Sequence, residues 1–147
     1  MPVKPIPDGY HTITPYITAA DASAVLEFIQ RAFGARVHHR MDGPDGDVWH
    51  ADLVLGDSHL MIGKAAPPRT PMPAMIYLYV PDCDAVYQRA LDAGATTVMP
   101  PADQFYGDRH GGVRDAFGNE WWIATHIEDV SEEELQRRGK AFAESRK

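Results

Sequence analysis

Two similar stretches decide the fold: DASAVLEFIQRAFG at residues 21–34 and DCDAVYQRALDAG at residues 82–94. Each begins with an aspartate that can cap a helix, carries apolar residues at helical spacing and ends in a glycine. In the first stretch Ser23 is an alternative cap to Asp21. Because Asp21 and Asp82 stand 61 residues apart, each followed by Ala-Val at the same distance, the sequence predicts two copies of one module.

Predicted strands surround each of these helices in the order βαβββ. Residues 12–18 alternate between apolar and polar side chains, with Ile13 expected on the apolar face. The second copy starts with a strand at 75–80 and includes a long loop at 100–112. A proline-rich linker at 65–73 separates the copies. The remaining strands are predicted at 36–40, 49–55, 58–63, 96–99, 112–114 and 120–125.

These elements together predict an α+β protein. We expect a single domain, residues 1–147, built from two tandem βαβββ modules at about 12–64 and 74–126. A third helix is expected at about 131–144, where Ser131 begins a capping box.

A tight turn at Gly56-Asp57 sets the pairing of two strands in the first module. If Val54 pairs with His59, alternate side chains fall on two faces of different character. The apolar face is expected to pack on helices and carries Trp49, Ala51, Leu53, Leu55, Leu60 and Ile62. The more polar face carries His50, Asp52, Val54, His59 and Met61.

Composition argues against several classes of function. The formal net charge of −7 disfavours binding to nucleic-acid phosphates and to anionic lipid surfaces. No stretch is apolar for long enough to span a bilayer, and the proline-rich start has no apolar core of a signal peptide. The single cysteine, Cys83, lies between Asp82 and Asp84 and is expected to be structural. We therefore expect a cytoplasmic protein with no nucleic-acid and no membrane partner.

The closing run DAFGNEWWIATH, residues 115–126, and the helix end RAFGA, residues 31–35, resemble the vicinal-oxygen-chelate superfamily of glyoxalases, bleomycin-resistance proteins and dioxygenases. The segment IATHIEDV, residues 123–130, is similar more narrowly to its PhnB-like branch. The resemblance implies that the modules form a curved, cup-like sheet with ligands inside, and that two chains pair as a homodimer. Because one fold hosts enzymes and binding proteins alike, the resemblance does not choose between them.

Metalloenzymes of that superfamily hold a divalent ion with ligands on the first and fourth strands of each module. Carried onto this sequence, the four positions are Thr14, Met61 or Leu60, Met75 or Ile76, and Trp122. These side chains are poor ligands for such ions, so no cofactor is expected. The alternative is a divalent metal at a non-standard site made by His50, Asp52 and His59, which otherwise form a hydrogen-bonded patch.

The last predicted loop is rich in groups that bind or react. Arg109 is a candidate clamp for a carboxylate or phosphate, and His110 is a candidate acid or base. In the alternative, Arg109 and Arg114 pair with Asp108 and Asp115 in a turn.

The aromatic lining inferred from alternation favours a flat ligand over a small polar one. We therefore predict a protein that binds or sequesters a flat organic molecule without catalysis. The alternatives are aromatic side chains that only fill a core, and a glyoxalase-like lyase, isomerase or dioxygenase-type enzyme, metal-free or with a non-standard metal site. The predicted ligand-binding residues are Thr14, Tyr16, His50, Asp52, His59, Tyr77, Tyr79, Tyr106, Arg109, His110 and Trp122.

Overall fold

The computed structural model describes residues 2–146, which divide into two compact units. The first unit holds the described residues up to Ala74 together with the turn Ala116–Asn119. The second holds Met75–Asp115 together with the described residues from Glu120 onward. Each unit contains one four-stranded mixed sheet, so the predicted α+β class is confirmed.

The first unit is a βαβββ module whose strands lie in the order β1-β4-β3-β2. Strand β1 runs parallel to β4, and the other pairs are antiparallel. Asp21 caps the helix by accepting a hydrogen bond from the Ala24 amide, and Gly34 ends it with φ 70°. Both ends were predicted. Its elements are β1 Tyr16–Ala19, α1 Ala22–Phe33, β2 Arg36–Asp42, β3 Val48–Leu55 and β4 Ser58–Lys64.

The second unit repeats this order as β5-β8-β7-β6, with β5 parallel to β8. Asp82 caps its first helix by accepting from the Ala85 amide, as Asp21 does in the first unit. The two tandem modules are therefore confirmed. The elements are β5 Met75–Tyr79, α2 Cys83–Asp92, β6 Thr96–Asp103, β7 Asp108–Arg114, β8 Glu120–His126 and the C-terminal helix α3 Glu132–Ser145.

The register of the first hairpin agrees with the prediction, because Val54 lies opposite His59 and Asp52 opposite Met61. Four side chains of the expected apolar face are buried. Burying one leucine- or isoleucine-sized side chain stabilises a fold by about 1.5–3 kcal/mol. These four are Ala51, Leu53, Leu60 and Ile62. The expected position of Trp49 was wrong, since 46% of this residue is exposed.

The first strand is shorter than predicted. It begins at Tyr16, so Thr14 lies outside it, and Ile13 is 81% exposed rather than on an apolar face. Pro15 explains the difference, because it has no N–H to donate to a neighbouring strand. Its carbonyl still accepts a hydrogen bond from the Met61 amide, which sets the start of the pairing with β4.

The predicted loop at 100–112 is instead a β-hairpin formed by β6 and β7. Strand β6 continues through Pro100 and Pro101, which an edge strand tolerates because one side of it needs no hydrogen bonds. The register shifts between Met99 and Ala102, where the prolines interrupt the ladder. Asp108 and His110 therefore lie in a strand rather than in a loop.

The C-terminal helix begins at the predicted cap, where the Ser131 hydroxyl accepts a hydrogen bond from the Glu134 amide. Within Glu132–Ser145 no side chain is buried. Arg138 anchors the helix by pairing with Glu128 and by donating to the Phe105 carbonyl. No helix among residues 2–146 is long and apolar enough to cross a membrane.

Candidate functional site

One face of the second sheet carries a group of aromatic side chains. Alternation along β7 places Gly111 toward α2, where an added Cβ would lie 2.9 Å from the Tyr87 ring. His110 and Gly112 therefore face the other way. Sheet register puts Trp122 opposite Gly112 and Tyr77 beside Trp122 on that same side. We call this surface the aromatic face and define it by Tyr77, Tyr79, Tyr106, His110 and Trp122.

A buried carboxylate holds two of these rings in place. Asp108 is 3% exposed, and its Oδ2 accepts hydrogen bonds from the Tyr77 and Tyr79 hydroxyls at 2.8 Å each. Its Oδ1 lies 2.9 Å from Nδ1 of His126. Nε2 of His126 in turn lies 2.7 Å from Asp129. Both carboxylate oxygens of Asp108 are therefore occupied, as a buried charge requires.

The hydrogen bonds around Asp108 decide its charge. Burial by itself would raise the pKa of Asp108, but hydrogen bonds from His126, Tyr77 and Tyr79 outweigh it and lower the pKa. Hydrogen bonds to Asp108 and then to Asp129 raise the pKa of His126. His126 therefore keeps its proton to a higher pH than a free imidazole does, and Asp108 stays ionised to a lower pH than a free carboxyl does.

His110 lies inside the aromatic face and is 8% exposed. Its Nδ1 is 3.1 Å from the Tyr77 hydroxyl oxygen and 3.1 Å from that of Tyr106. Its ring centroid is 5.0 Å from that of Trp122. Burial lowers the pKa of His110, and the nearby charge of Asp108 opposes this only in part. The ring is therefore a neutral imidazole near pH 7.

Trp122 lies close against its neighbouring strand because Gly112 has no side chain. A Cβ added at Gly112 would come within 2.8–2.9 Å of three atoms of the indole ring. The indole Nε1 donates to Glu120 at 3.2 Å, and Glu120 also accepts from Arg114 at 2.7 Å. One face of the indole thus packs on the backbone at Gly112, and its Nε1 is bonded to Glu120. These contacts fix the orientation of the flat ring.

The first unit contains the same pair of groups at equivalent positions. Tyr16 is opposite Met61 in its sheet, as Tyr77 is opposite Trp122 in the second. The Tyr16 hydroxyl lies 3.3 Å from Nδ1 of His50, which matches the contact of Tyr77 with His110. Its fourth-strand residue is a flexible thioether rather than an indole, so this sheet has no comparable flat wall.

A second polar cluster of the first unit is covered by its own chain. Asp52 and His59 are buried and 2.7 Å apart, on one face as predicted. Tyr10 stacks on His59 with centroids 3.7 Å apart and an interplanar angle of 17°, and its hydroxyl donates to Asp52. The hydrogen bond to Asp52 raises the pKa of Tyr10. Burial would raise the pKa of Asp52, but hydrogen bonds from Tyr10 and His59 lower it.

The residues of the first unit do not form a metal site in this arrangement. Both oxygens of Asp52 are used by Tyr10 and His59, and His50 bonds to Tyr16 instead. Among residues 2–146, no three His, Cys, Asp or Glu side chains come together in a way that could hold a metal ion. The hydrophobic and aromatic residues at the superfamily's ligand positions also offer no suitable donors.

Arg109 and His110, both predicted to bind ligand, lie on opposite faces of the second sheet. Neighbouring residues of a strand point to opposite faces, and Arg109 lies on the side of α2. There it donates to Asp84 at 2.8 and 3.1 Å and to Asp103 at 3.1 Å. The alternative pairing of Arg109 with Asp108 was wrong, and Arg114 pairs with Glu120 rather than with Asp115.

Some residues of the two clusters were not predicted. Asp108 was missed because most of β7 was taken for a loop, although the spacing of Asp108 and His110 is that of one strand face. His126 was missed because it lies one residue past the predicted end of the last strand, 120–125. Tyr10 was missed because it lies in an arm without periodicity, and its contact with Asp52 spans 42 residues. Of the remaining predictions, Cys83 is buried, and burial raises the pKa of its thiol, as expected for a structural cysteine.

Removing the Tyr79 hydroxyl is predicted to raise the pKa of Asp108, because one hydrogen bond that lowers it is lost. Because the pKa of Asp108 is lower in the folded than in the unfolded protein, its ionised form stabilises the fold at pH values above the pKa of the unfolded state. This stabilisation is lost as the pH falls through the pKa of the folded state. Tyr79→Phe should therefore lose stability at neutral pH more than in acid. The carboxyl carbon shift of Asp108, followed by NMR against pH, measures the effect.

Tyr106→Phe is the matched control, since the Tyr106 hydroxyl contacts His110 rather than Asp108. An Asp108 pKa equal in wild type and Tyr79→Phe would contradict the role assigned to this hydrogen bond.

Comparison with known proteins agrees with this architecture. The family model described as the Glyoxalase/Bleomycin resistance protein/Dioxygenase superfamily matches residues 10–123. An uncharacterized protein of Mycobacterium tuberculosis strain H37Rv is 36% identical over 135 residues, covering 84% of this chain and 79% of its own length.

Two solved structures give the same result. TioX from Micromonospora sp. ML1 has a TM-score of 0.69 at 27% identity, covering 80% of this chain and 99% of its own. A glyoxalase/bleomycin resistance protein/dioxygenase from Nocardioides has a TM-score of 0.62 at 20% identity, covering 83% and 87%, and so supports the fold alone. The chain belongs to the glyoxalase/bleomycin resistance protein/dioxygenase superfamily.

Proposed function

We propose that this protein binds a flat organic molecule on the aromatic face of its second unit and releases it unchanged. The observation that carries the proposal is the indole of Trp122, fixed over Gly112 and next to the ring of His110. A rigid aromatic surface of this kind stacks on planar ligands, with about 0.5–1.5 kcal/mol per ring pair beyond the burial of area.

Exposure of the neighbouring rings supports this proposal. Tyr79 is 66% exposed and Tyr77 is 39% exposed, although both hydroxyls are bound to Asp108. The hydroxyl ends are thus turned into the protein, while much of each ring surface remains open. Exposed apolar surface with fixed orientation is typical of a ligand-binding site.

The chemistry of the polar groups favours binding over catalysis. Both oxygens of Asp108 and both nitrogens of His126 are already hydrogen bonded, so neither is a free acid or base. Positions at which superfamily enzymes hold a metal carry Met61 and Trp122 here. Polar groups whose hydrogen-bonding capacity is already used hold neighbouring side chains in place more readily than they transfer protons.

A metal-free enzyme is the second candidate, because His110 is a buried neutral imidazole whose pKa is lowered by burial. The two candidates differ in the fate of the ligand. Prolonged incubation with catalytic amounts of protein, followed by mass spectrometry in D2O, separates them. After back-exchange of O–H and N–H positions in H2O, an unchanged ligand without carbon-bound deuterium supports binding, and a new product or carbon-bound deuterium absent from a protein-free control supports the enzyme.

Replacing Trp122 with alanine is predicted to weaken a ligand found by thermal-shift screening by about 1–3 kcal/mol, since aromatic anchors dominate binding energy. Titration calorimetry of wild type and variant measures the change. Trp49→Ala is the matched control, because Trp49 is also partly exposed but belongs to the first unit. Equal affinities for wild type and Trp122→Ala would contradict the proposed wall.

We expect protein purified without chelator to contain no stoichiometric nickel, iron, manganese or zinc. The reason is the donor set at the superfamily's ligand positions, where Met61 and Trp122 are unsuitable. Elemental analysis by mass spectrometry tests this, and a metal at one equivalent per chain would contradict it. In that case alanine at His50, Asp52 or His59 would show whether the first unit holds the ion.

The protein is also predicted to be a homodimer with a twofold axis. The support is α3, in which no side chain of Glu132–Ser145 is buried and Phe142 is 43% exposed. An amphipathic helix without a buried face gains stability when a partner covers it. Sedimentation equilibrium at tens of micromolar should give twice the mass of one chain, and a single-chain mass would contradict the prediction.

A further inference from the structure

We infer that the ligand of the aromatic face carries a hydrogen-bond donor, a phenolic O–H or a heteroaromatic N–H, that binds Nε2 of His110, and that carboxylates are selected against. This inference rests on the proposed function and adds the ligand's chemical class to it. It depends on the positions of hydrogen atoms around His110, on the free nitrogen of that ring and on the charges nearby.

The tautomer of His110 follows from its neighbours. The hydroxyl hydrogen of Tyr77 is donated to Asp108, so the Tyr77 oxygen can only accept at its 3.1 Å contact with Nδ1 of His110. We assign the hydrogen to Nδ1, because a bare Nδ1 would set its lone pair against the Tyr77 oxygen; the Tyr106 oxygen, 3.1 Å from the same nitrogen, then accepts as well. In a neutral imidazole the other nitrogen, Nε2, then has a free lone pair and acts as an acceptor.

Nε2 of His110 is open to a ligand. Nδ1 makes the hydrogen bonds of this ring, to Tyr77 and Tyr106, and Nε2 has no partner among residues 2–146. In the same part of the chain, no fully buried side-chain nitrogen or oxygen lacks a partner. Nε2 must therefore reach the surface, and it belongs to a ring whose centroid is 5.0 Å from that of Trp122.

The charges around this nitrogen disfavour an anionic ligand. Asp108 lies behind Tyr77 as a carboxylate with a lowered pKa, and an anion at Nε2 would also face the imidazole lone pair. Arg109 cannot compensate, since it lies on the face of α2 and pairs with Asp84. A neutral donor meets none of these repulsions, and it satisfies the acceptor.

The first unit shows that a phenol ring can stack on a histidine within this chain. The phenol of Tyr10 stacks on His59 and donates its hydrogen to the buried Asp52. Histidine, carboxylate and phenol thus already form a stable combination within the chain. A phenolic ligand on His110 and Trp122 would combine the same stacking with one donated hydrogen bond.

The test uses three naphthalenes of similar size: 2-naphthol, which has a donor, 2-methoxynaphthalene, which has none, and 2-naphthoate, which is an anion. Calorimetric titration of the protein, residues 1–147, at pH 7.5 should give 2-naphthol an affinity about five- to tenfold above that of 2-methoxynaphthalene. Binding of 2-naphthoate should be the weakest. In His110→Phe, which keeps an aromatic ring, the preference for the hydroxyl should disappear.

A second measurement uses the wild-type protein, so it does not require that His110→Phe folds. In wild type, the imidazole nitrogen resonances of His110 should show a protonated Nδ1 and a bare Nε2, and 2-naphthol should shift Nε2 toward a hydrogen-bonded value. Three results would overturn the inference and leave the proposed function in place. They are equal affinity for 2-naphthol and 2-methoxynaphthalene, tighter binding of 2-naphthoate, and a protonated Nε2 in the free protein. Failure of all three compounds to bind would instead count against the aromatic face as a site.

Discussion

The buried carboxylate of Asp108 is the constraint on which the second sheet's open face depends. A charge removed from water must be fully hydrogen bonded, and leaving it unpaired costs several kcal/mol. Asp108 meets this requirement with two tyrosine hydroxyls and one histidine. Because those partners must point toward the buried carboxylate to reach it, the rings of Tyr77 and Tyr79 are held with their hydroxyl ends directed into the protein. The same hydrogen bonds leave the Tyr77 oxygen as an acceptor toward Nδ1 of His110, which is the basis of the inferred tautomer.

The repeated module supplies a tyrosine–histidine pair twice, in different surroundings. Equivalent positions give a tyrosine–histidine pair in both units, Tyr16 with His50 and Tyr77 with His110. In the first unit the neighbouring polar pair is covered by Tyr10. In the second the fourth-strand residue is Trp122, a half-buried indole that packs over Gly112. The same frame thus carries different side chains in its two copies, which is how one fold can serve different functions.

Sequence reasoning predicted the frame because its signals are local. The helix caps, the glycine ends and the Gly56-Asp57 turn each act over a few residues, and the register of β3 with β4 followed from them. The site was predicted only in part because its contacts are distant in sequence. Pro100 and Pro101 look like a loop, yet they lie in an edge strand, and this hid the alternation that places Asp108 and His110 together and Arg109 apart. Tyr10 had no local signal at all.

The proposed function requires that the ligand binds at the aromatic face of the second unit. Intermolecular nuclear Overhauser effects between a bound aromatic ligand and the protein test it most directly, because they report contacts within a few ångströms without any mutation. If the ligand binds there, cross-peaks are expected from the ligand to the indole protons of Trp122, to the ring protons of Tyr77 and to His110. Cross-peaks confined to Tyr10 and His59, or to the helix Glu132–Ser145, would contradict it.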